Sequence, residues 1–199
     1  MTGGSGKLGT ELQKYIKCDA PSHQEFNIMS HTFIGHCYDL VIHAAAYTDV
    51  DMAEEHTEEV FDINLGGTLN LLYEYGLTPF VYISSEYAKN PVNMYSASKY
   101  AAELAVKALA EHYLIIRTLF KKGWESDTAW DDQWTCGDYV EVIAPIIIKE
   151  IRRWDLWPKF VYVGTGRKTM YDLAKRTKPD VKPSSLKDWH GVPRPYDYI

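Results

Sequence analysis

Cysteine is scarce in this sequence. The 199 residues hold three, Cys18, Cys37 and Cys136, far apart, odd in number and without Cys/His ligand spacing, which argues against a disulfide framework and for a reducing compartment. The seven histidines show no metal pairing, so no metal site is expected and they read as structural or surface residues. No apolar run approaches the length of a membrane span, and the N-terminus has no signal-peptide core. The expected location is therefore cytoplasmic, with no membrane partner. Basic surplus is absent as well: 27 acidic residues against 21 basic ones give a net charge of −6. That balance argues against a general nucleic-acid binder and leaves room for a local basic pocket. Internal repeats and low-complexity segments are missing, which sets solenoid architectures aside. What is present, 46% hydrophobic and 24% charged residues, suits a globular chain with one sizeable core and room for a small appended lobe.

Short β-branched or aromatic runs alternate with longer helical patterns. Residues 40–43, 80–83, 114–117 and 160–163 read as buried parallel strands, with 17–20 a weaker candidate. Helical periodicity covers 7–16, 52–75, 95–112, 138–153 and 169–176. Strands alternating with helices predict an α/β fold, a Rossmann-like doubly wound parallel sheet covered on both faces. Residues 1–120 would form the core, and residues 121–199 would complete the sheet, over about 138–165, and form a small C-terminal lobe. Within that part, 121–137 reads as an irregular surface region, and the proline-containing tail from Lys178 to Ile199 as extended chain.

Two motifs carry chemistry. Gly3, Ser5, Gly6, Lys7, Leu8 and Gly9 lie in a glycine-rich loop that opens directly into a helical pattern. Glycines at this spacing permit a tight turn and close backbone approach to a pyrophosphate. Such a loop normally follows a buried strand, yet only Met1 and Thr2 precede it here. The expectation is a truncated first strand, either pairing as a stub or covered by a partner, at a cost in unpaired backbone groups. The second motif is Tyr95-x-x-x-Lys99, about ten residues after a strand ending in Ser84-Ser85. Positions i and i+4 share a helix face, so the Lys99 ammonium is expected to lower the Tyr95 pKa from about 10 and make it an acid/base near neutrality. Asp19 is a candidate for the adenosine ribose, with a turn role nearly as plausible. Ala44, Ala45 and Ala46 suit both cofactor contact and close helix–sheet packing.

In this order, the loop, the serine strand end and Tyr95/Lys99 resemble the extended short-chain dehydrogenase/reductase superfamily. More narrowly, the chain resembles the dTDP-4-dehydrorhamnose reductase family. The stretch from Val41 to Glu54 is close to that family's signature, and Asn64 falls where the family keeps its asparagine. Ile83-Ser84-Ser85-Glu86-Tyr87 is similar to its Ser-Thr-Asp-Tyr segment and Ile116-Arg117-Thr118 to its Arg-Thr. Asp132-Gln133, Val163-Gly164, Tyr171 to Ala174 and Arg194-Pro195 resemble its later elements. Departures are a spacing of nine residues between Ser85 and Tyr95, shorter than is usual in the family, and Ser85 and Glu86 standing for its threonine and aspartate. The chain looks like a compressed member.

The resemblance implies NADPH or NADH as cofactor, held by the glycine loop, Ala44–Ala46, Ile83, Tyr95 and Lys99. It implies Ser85 polarising a substrate carbonyl, Tyr95 as proton donor, and Glu86 tuning that proton or holding a sugar hydroxyl. Gln133 and Trp134 would contact a nucleotide sugar, with Trp134 equally plausible as lobe core. The activity so implied is reduction of a 4-keto-6-deoxy nucleotide sugar. A related epimerase or dehydratase, or a non-catalytic dinucleotide-binding regulatory subunit, is the alternative. A dehydratase usually adds an Asp-Glu pair beside the serine; one acid, Glu86, favours the reductase. The nucleotide sugar, NAD against NADP, and self-association as a homodimer stay open.

Overall fold

The computed structural model describes residues 1–30 and 37–197. Its centre is a four-stranded, all-parallel sheet in the order β1 (Val41–His43), β2 (Phe80–Ser85), β3 (Tyr113–Thr118) and β8 (Phe160–Val163). The four continuous apolar runs in the sequence supply these strands; β1, β2 and β3 are buried as expected of parallel strands, whereas β8, at the sheet edge, buries only Val163. Side chains alternate across the pleat. Val81, Ile83, Leu114 and Ile116 face α1 (Lys7–Leu12) and α6 (Val140–Ile151) through Leu8, Leu12, Ile143 and Ile147. Phe80, Tyr82 and Ile115 face α4 (Gly67–Tyr75) and α5 (Met94–Leu109) through Leu71, Leu72, Ala102 and Val106. Each buried Leu or Ile contributes about 1.5–3 kcal/mol. Both faces of the sheet are covered, and the fold is Rossmann-like and doubly wound.

Several expectations are corrected. The long helical pattern 52–75 is broken into α2 (Met52–Glu55), α3 (Thr57–Phe61), a π turn (Asp62–Gly66) and α4. Residues 17–20 form no strand. Lys17, Cys18 and Asp19 are exposed, Pro21 follows, and such a polar segment lacks the side chains to fill a pleated core. The Asp19 carbonyl instead accepts from the Met1 ammonium. On its other side the N-terminal stub meets β1: the Thr2 amide donates to Ile42 O at 3.0 Å, a single parallel bridge. The stub thus pairs with β1, one of the two expected arrangements.

The stretch 121–137 is not an irregular surface. It contributes β5 (Thr128–Trp130) and β6 (Trp134–Thr135) and buries Ala129, Gln133 and Thr135. β4 (Phe120–Lys121) pairs with β7 (Asp138–Tyr139), and β6 pairs antiparallel with β9 (Lys168–Thr169), ahead of α7 (Met170–Ala174). The tail is largely extended, with β10 (Lys182–Ser184) pairing parallel to β5. Pro183 sits in that strand without breaking it, because Lys182 N and Ser184 O carry the bonds, to Asp127 and Asp131 at 2.9 Å each. Tyr198 and Ile199, the end of the expected extended tail, lie outside the described residues.

Candidate active site

β2 ends at Ser85, whose hydroxyl accepts from Tyr87 N at 3.2 Å and caps the 3-10 turn Glu86–Lys89. α5 starts at Asn93. Its side chain accepts from Ser96 N at 2.8 Å while Ser96 Oγ accepts from Asn93 N at 3.0 Å, a reciprocal cap that fixes the first helical turn. Tyr95 is in that turn and Lys99 one turn later. Burial pushes the Tyr95 phenol up to about 12, against the pull of the Ser85 hydroxyl. Tyr95 packs with Ala53 and Val60, and its ring meets Tyr87 edge-on at 5.8 Å.

The expected depression of the Tyr95 pKa by Lys99 does not occur. Lys99 Nζ donates to Ile83 O at 2.9 Å and stands 4.3 Å over the Tyr82 ring. Burial, partly opposed by Glu103, lowers its own pKa to about 7. A half-charged ammonium engaged elsewhere gives the phenol little electrostatic help. At neutral pH Tyr95 keeps its proton, the form required of a proton donor.

Glu86 is no solvated loop carboxylate. It is 2% exposed and accepts from Thr135 Oγ1 at 2.7 Å. Burial raises its pKa to about 7 against the pull of Thr135, Lys168 and the Cys136 amide. Its partners lie on two-residue strands without a periodic signature, so sequence reasoning missed Thr135 and Lys168. It also passed over the Thr118 hydroxyl, although the Arg-Thr resemblance had pointed there. Thr118 is Ser85's register partner, and its hydroxyl is buried without a hydrogen bond among the described residues.

The glycine loop has the expected shape. Gly3 has φ +68°, and a Cβ there would lie 2.7 Å from Ala44 C and Ala45 N; one on Gly9 would lie 2.2 Å from Gly3 O. Ser5, Gly6 and Lys7 are exposed at the turn, whereas Leu8 turns its side chain into the core and leaves only backbone to a ligand. Ala44–Ala46 are half-buried beside Gly3. Asp19 is exposed beside the stub, near Ala20, which closes on Gly4. This close-packed cradle, with its outer backbone open, fits the pyrophosphate of a dinucleotide.

Gln133 is displaced from its expected role. It is fully buried and its amide donates to Pro195 O at 2.9 Å, so it holds the tail rather than facing a ligand. The tail is also fastened by Asn93 Nδ2 to Pro193 O at 2.8 Å and Arg194 to Asp51 at 2.7 Å. Trp134 is half-buried, its ring 4.3 Å from the Arg167 guanidinium carbon. Two hollows of about 410 and 610 Å³ lie elsewhere, one along Gln13–Cys18 and one beside His23, Asn27 and His56, neither bordering Ser85 or Tyr95. Among the described residues no helix is long and apolar enough to cross a membrane, and no group of three or more His, Cys, Asp or Glu could hold a metal.

A covered parallel sheet, a glycine loop and a Ser/Tyr/Lys constellation at the strand ends define a nucleotide-binding protein of the short-chain dehydrogenase/reductase type. The family model described as RmlD substrate binding domain matches residues 1–123, and the chain belongs to that family. Its structure is similar to a dTDP-4-dehydrorhamnose reductase of Clostridium acetobutylicum (TM-score 0.85, 25% identity, 99% of this chain and 87% of that one). It is also similar to one of Bacillus anthracis in complex with NADP (TM-score 0.81, 24% identity, 100% and 88%). Among curated proteins, mouse dTDP-D-glucose 4,6-dehydratase is 34% identical over 92 residues, 38% of this chain. The match spans about a quarter of that relative's length, 26%.

Proposed function

We propose that this protein is an NAD(P)-dependent reductase of a 4-keto-6-deoxy nucleotide sugar, of the dTDP-4-dehydrorhamnose reductase kind, acting in the cytoplasm. Residues 1–120 hold the dinucleotide, and 121–199 complete the sheet and provide the substrate lobe. The observation that carries the reading is the placement of the buried Ser85 at the carboxyl end of β2 and the buried Tyr95 in the first turn of α5, packed on β2. The Gly3–Gly9 cradle is tied to β1 of the same sheet through Thr2. A bound nicotinamide dinucleotide would supply the hydride. Gly3, Ser5, Gly6, Gly9 and Ala44–Ala46 would hold it through backbone, with Ile83 and Lys99 at its ribose end. Ser85 donates a hydrogen bond to the substrate carbonyl and aligns it. Tyr95 gives its phenolic proton to the oxygen as the carbonyl becomes an alcohol, and recovers a proton from solvent. Glu86, half-protonated near neutrality, receives a sugar hydroxyl.

The test is oxidation of NADPH and NADH with dTDP-4-dehydrorhamnose and other 4-keto nucleotide sugars, by wild type and Tyr95→Phe. Turnover by the wild type, with loss of turnover but not of cofactor affinity in the variant, is expected. A specific observation favours a second reading, a non-catalytic dinucleotide-binding subunit: Tyr95 is 9% exposed and sits in an apolar cluster. Cofactor binding without turnover on any of these substrates would select it.

A further inference from the structure

His43 is a histidine that the sequence offers as merely structural. It is 1% exposed at the end of β1, between the glycine loop and the helices that carry the site. Its Nδ1 lies 2.7 Å from Thr2 Oγ1 and its Nε2 3.0 Å from Thr68 Oγ1. Counting protons fixes the direction of every bond. The single hydroxyl proton of Thr68 is committed to Asn64 O at 2.6 Å, because a carbonyl can only accept. Thr68 Oγ1 therefore accepts from His43, and Nε2 carries the hydrogen. The ring is neutral, since burial, helped by the Lys99 charge, lowers its pKa to about 3. Nδ1 is then bare and accepts the Thr2 hydroxyl proton. Thr2 Oγ1 in turn accepts from Ala45 N at 3.3 Å.

The chain of bonds continues past Thr68. Asn64, held in the π turn, accepts from Tyr47 N at 2.8 Å and donates to Tyr47 O at 3.2 Å and to Ser98 Oγ at 2.8 Å. Ser98 Oγ donates to the carbonyl of Tyr95 at 2.8 Å. Thr2, His43, Asn64, Thr68 and Ser98 are all 7% exposed or less, so water does not compete for these bonds. One path with a defined direction, with side branches to Ala45 and Tyr47, joins the residue before Gly3 to the backbone of Tyr95.

We infer that His43, as the Nε2–H tautomer, is a positioning residue that sets the glycine loop at one ring nitrogen and the Tyr95 helix at the other. The inference rests on the reading of the glycine loop as cofactor cradle and Tyr95 as proton donor. The two nitrogens have separable consequences. Asparagine places an acceptor oxygen where Nδ1 is and lacks the Nε2 donor. Glutamine places an N–H donor where Nε2 is and lacks the Nδ1 acceptor.

The experiment has two parts. Nitrogen-15 NMR of the wild-type imidazole should show Nε2 protonated, Nδ1 unprotonated and no titration between about pH 5 and 8, the range of an unperturbed histidine. A protonated Nδ1 or a titrating ring overturns the inference. In the second part, His43→Asn should keep its NADPH dissociation constant and lose about two- to tenfold in single-turnover reduction, the worth of one hydrogen bond. His43→Gln should weaken NADPH binding by a similar factor and keep its rate at saturating cofactor. Equal losses of affinity and rate in both variants would make His43 a core residue and nothing more. Should neither variant fold, Thr68→Val replaces His43→Asn and Thr2→Val replaces His43→Gln, with the same expected split. If the wild type neither binds NADPH nor turns over, the functional reading fails by itself. The chain is then judged by the thermal stabilities of Thr2→Val, Thr68→Val and the double variant: non-additive losses support coupling through His43, and additive losses overturn it.

Discussion

Two buried glutamates, one on each side of the candidate site, are neutralised in different ways. Glu103, on α5 against the sheet, is fully enclosed and meets three donors: Arg117 Nε and Nη2 at 2.7 Å each and Ser84 Oγ at 2.6 Å. Arg117 spends its remaining reach on Tyr162 Oη at 3.0 Å and lies 4.9 Å from the Phe160 ring centre. This bidentate pair ties α5 to β3 and β8. Glu86 is nearly as enclosed, yet it looks toward the short strands after residue 120. There it meets one hydroxyl and one amide, with no ion pair among the described residues. A charge inside the sheet region is matched by a cation and specifies how elements pack. A charge facing the lobe is left near its midpoint at neutral pH, which suits proton or hydroxyl chemistry better than stability.

The largest expected effect comes from breaking the matched pair. Arg117→Met leaves Glu103 buried without its cation and should cost about 3–5 kcal/mol in urea unfolding at pH 7. A loss below about 1 kcal/mol would erase the contrast between the two glutamates, since that is what exposed pairs deliver. Glu86→Gln should act in the opposite sense. A carboxyl raised from 4.5 to about 7 on folding binds more protons in the folded state than in the unfolded one across that window. Wild-type stability therefore carries a component that falls as pH rises from about 4.5 to 7. Removing the titration should make the variant more stable by about 3 kcal/mol at pH 8 and nearly equal to wild type at pH 4.5. The difference between the two proteins isolates Glu86 from His43, whose lowered pKa slopes the other way over about pH 3 to 6.5. A pH-independent difference would show that Glu86 is not the poised group.

The same division explains what the sequence revealed. The four strands of the sheet were legible because buried parallel strands leave continuous apolar runs, and α5 because its apolar positions recur with helical spacing. Gly3 and Gly9 were legible because the turn geometry excludes any Cβ. The Lys99–Tyr95 pairing was only half legible. Spacing placed both on one helix, but the Ile83 carbonyl that takes the ammonium is a tertiary partner invisible to an i,i+4 rule. Gln133 misled because a family motif says which residue is present and not which way a buried amide turns. The lobe was least legible of all. Strands of two residues cannot show alternation, and Asp138 draws Thr165 at 2.7 Å and Arg176 at 2.9 Å from distant positions.

Asp138 gives the third test, of intermediate size. It is 2% exposed, whereas the Arg176 side chain that pairs with it is half exposed. The hydrogen bonds hold its carboxyl below the usual range despite burial. Asp138→Asn keeps the shape and some bonds and loses the charge, so a cost of about 1–3 kcal/mol is expected. The loss should shrink as pH is lowered toward the ordinary aspartate range, because the wild-type component is present above that range and disappears as the folded carboxyl protonates. A cost matching that of Arg117→Met would mean the lobe, too, depends on a fully matched buried charge.

The smallest effect is expected at the rim of the lobe. The Arg167 guanidinium covers the Trp134 ring at 4.3 Å and pairs with Asp197 at 2.8 Å, but the two charged side chains are 51% and 43% exposed. Exposed ion pairs contribute about 0–1 kcal/mol and exposed cation–ring contacts about 0.5–1 kcal/mol, and solvent screens both. Arg167→Ala should therefore lower stability by no more than about 1 kcal/mol. The ion-pair share of that loss should fade in concentrated salt, while the loss from Arg117→Met should persist there because its pair is buried. Urea titrations of both variants at low and high sodium chloride measure this directly. If Arg167→Ala costs as much as Arg117→Met, or if its cost is indifferent to salt, exposed contacts hold the lobe as firmly as buried ones hold the sheet, and the contrast between the two regions is void.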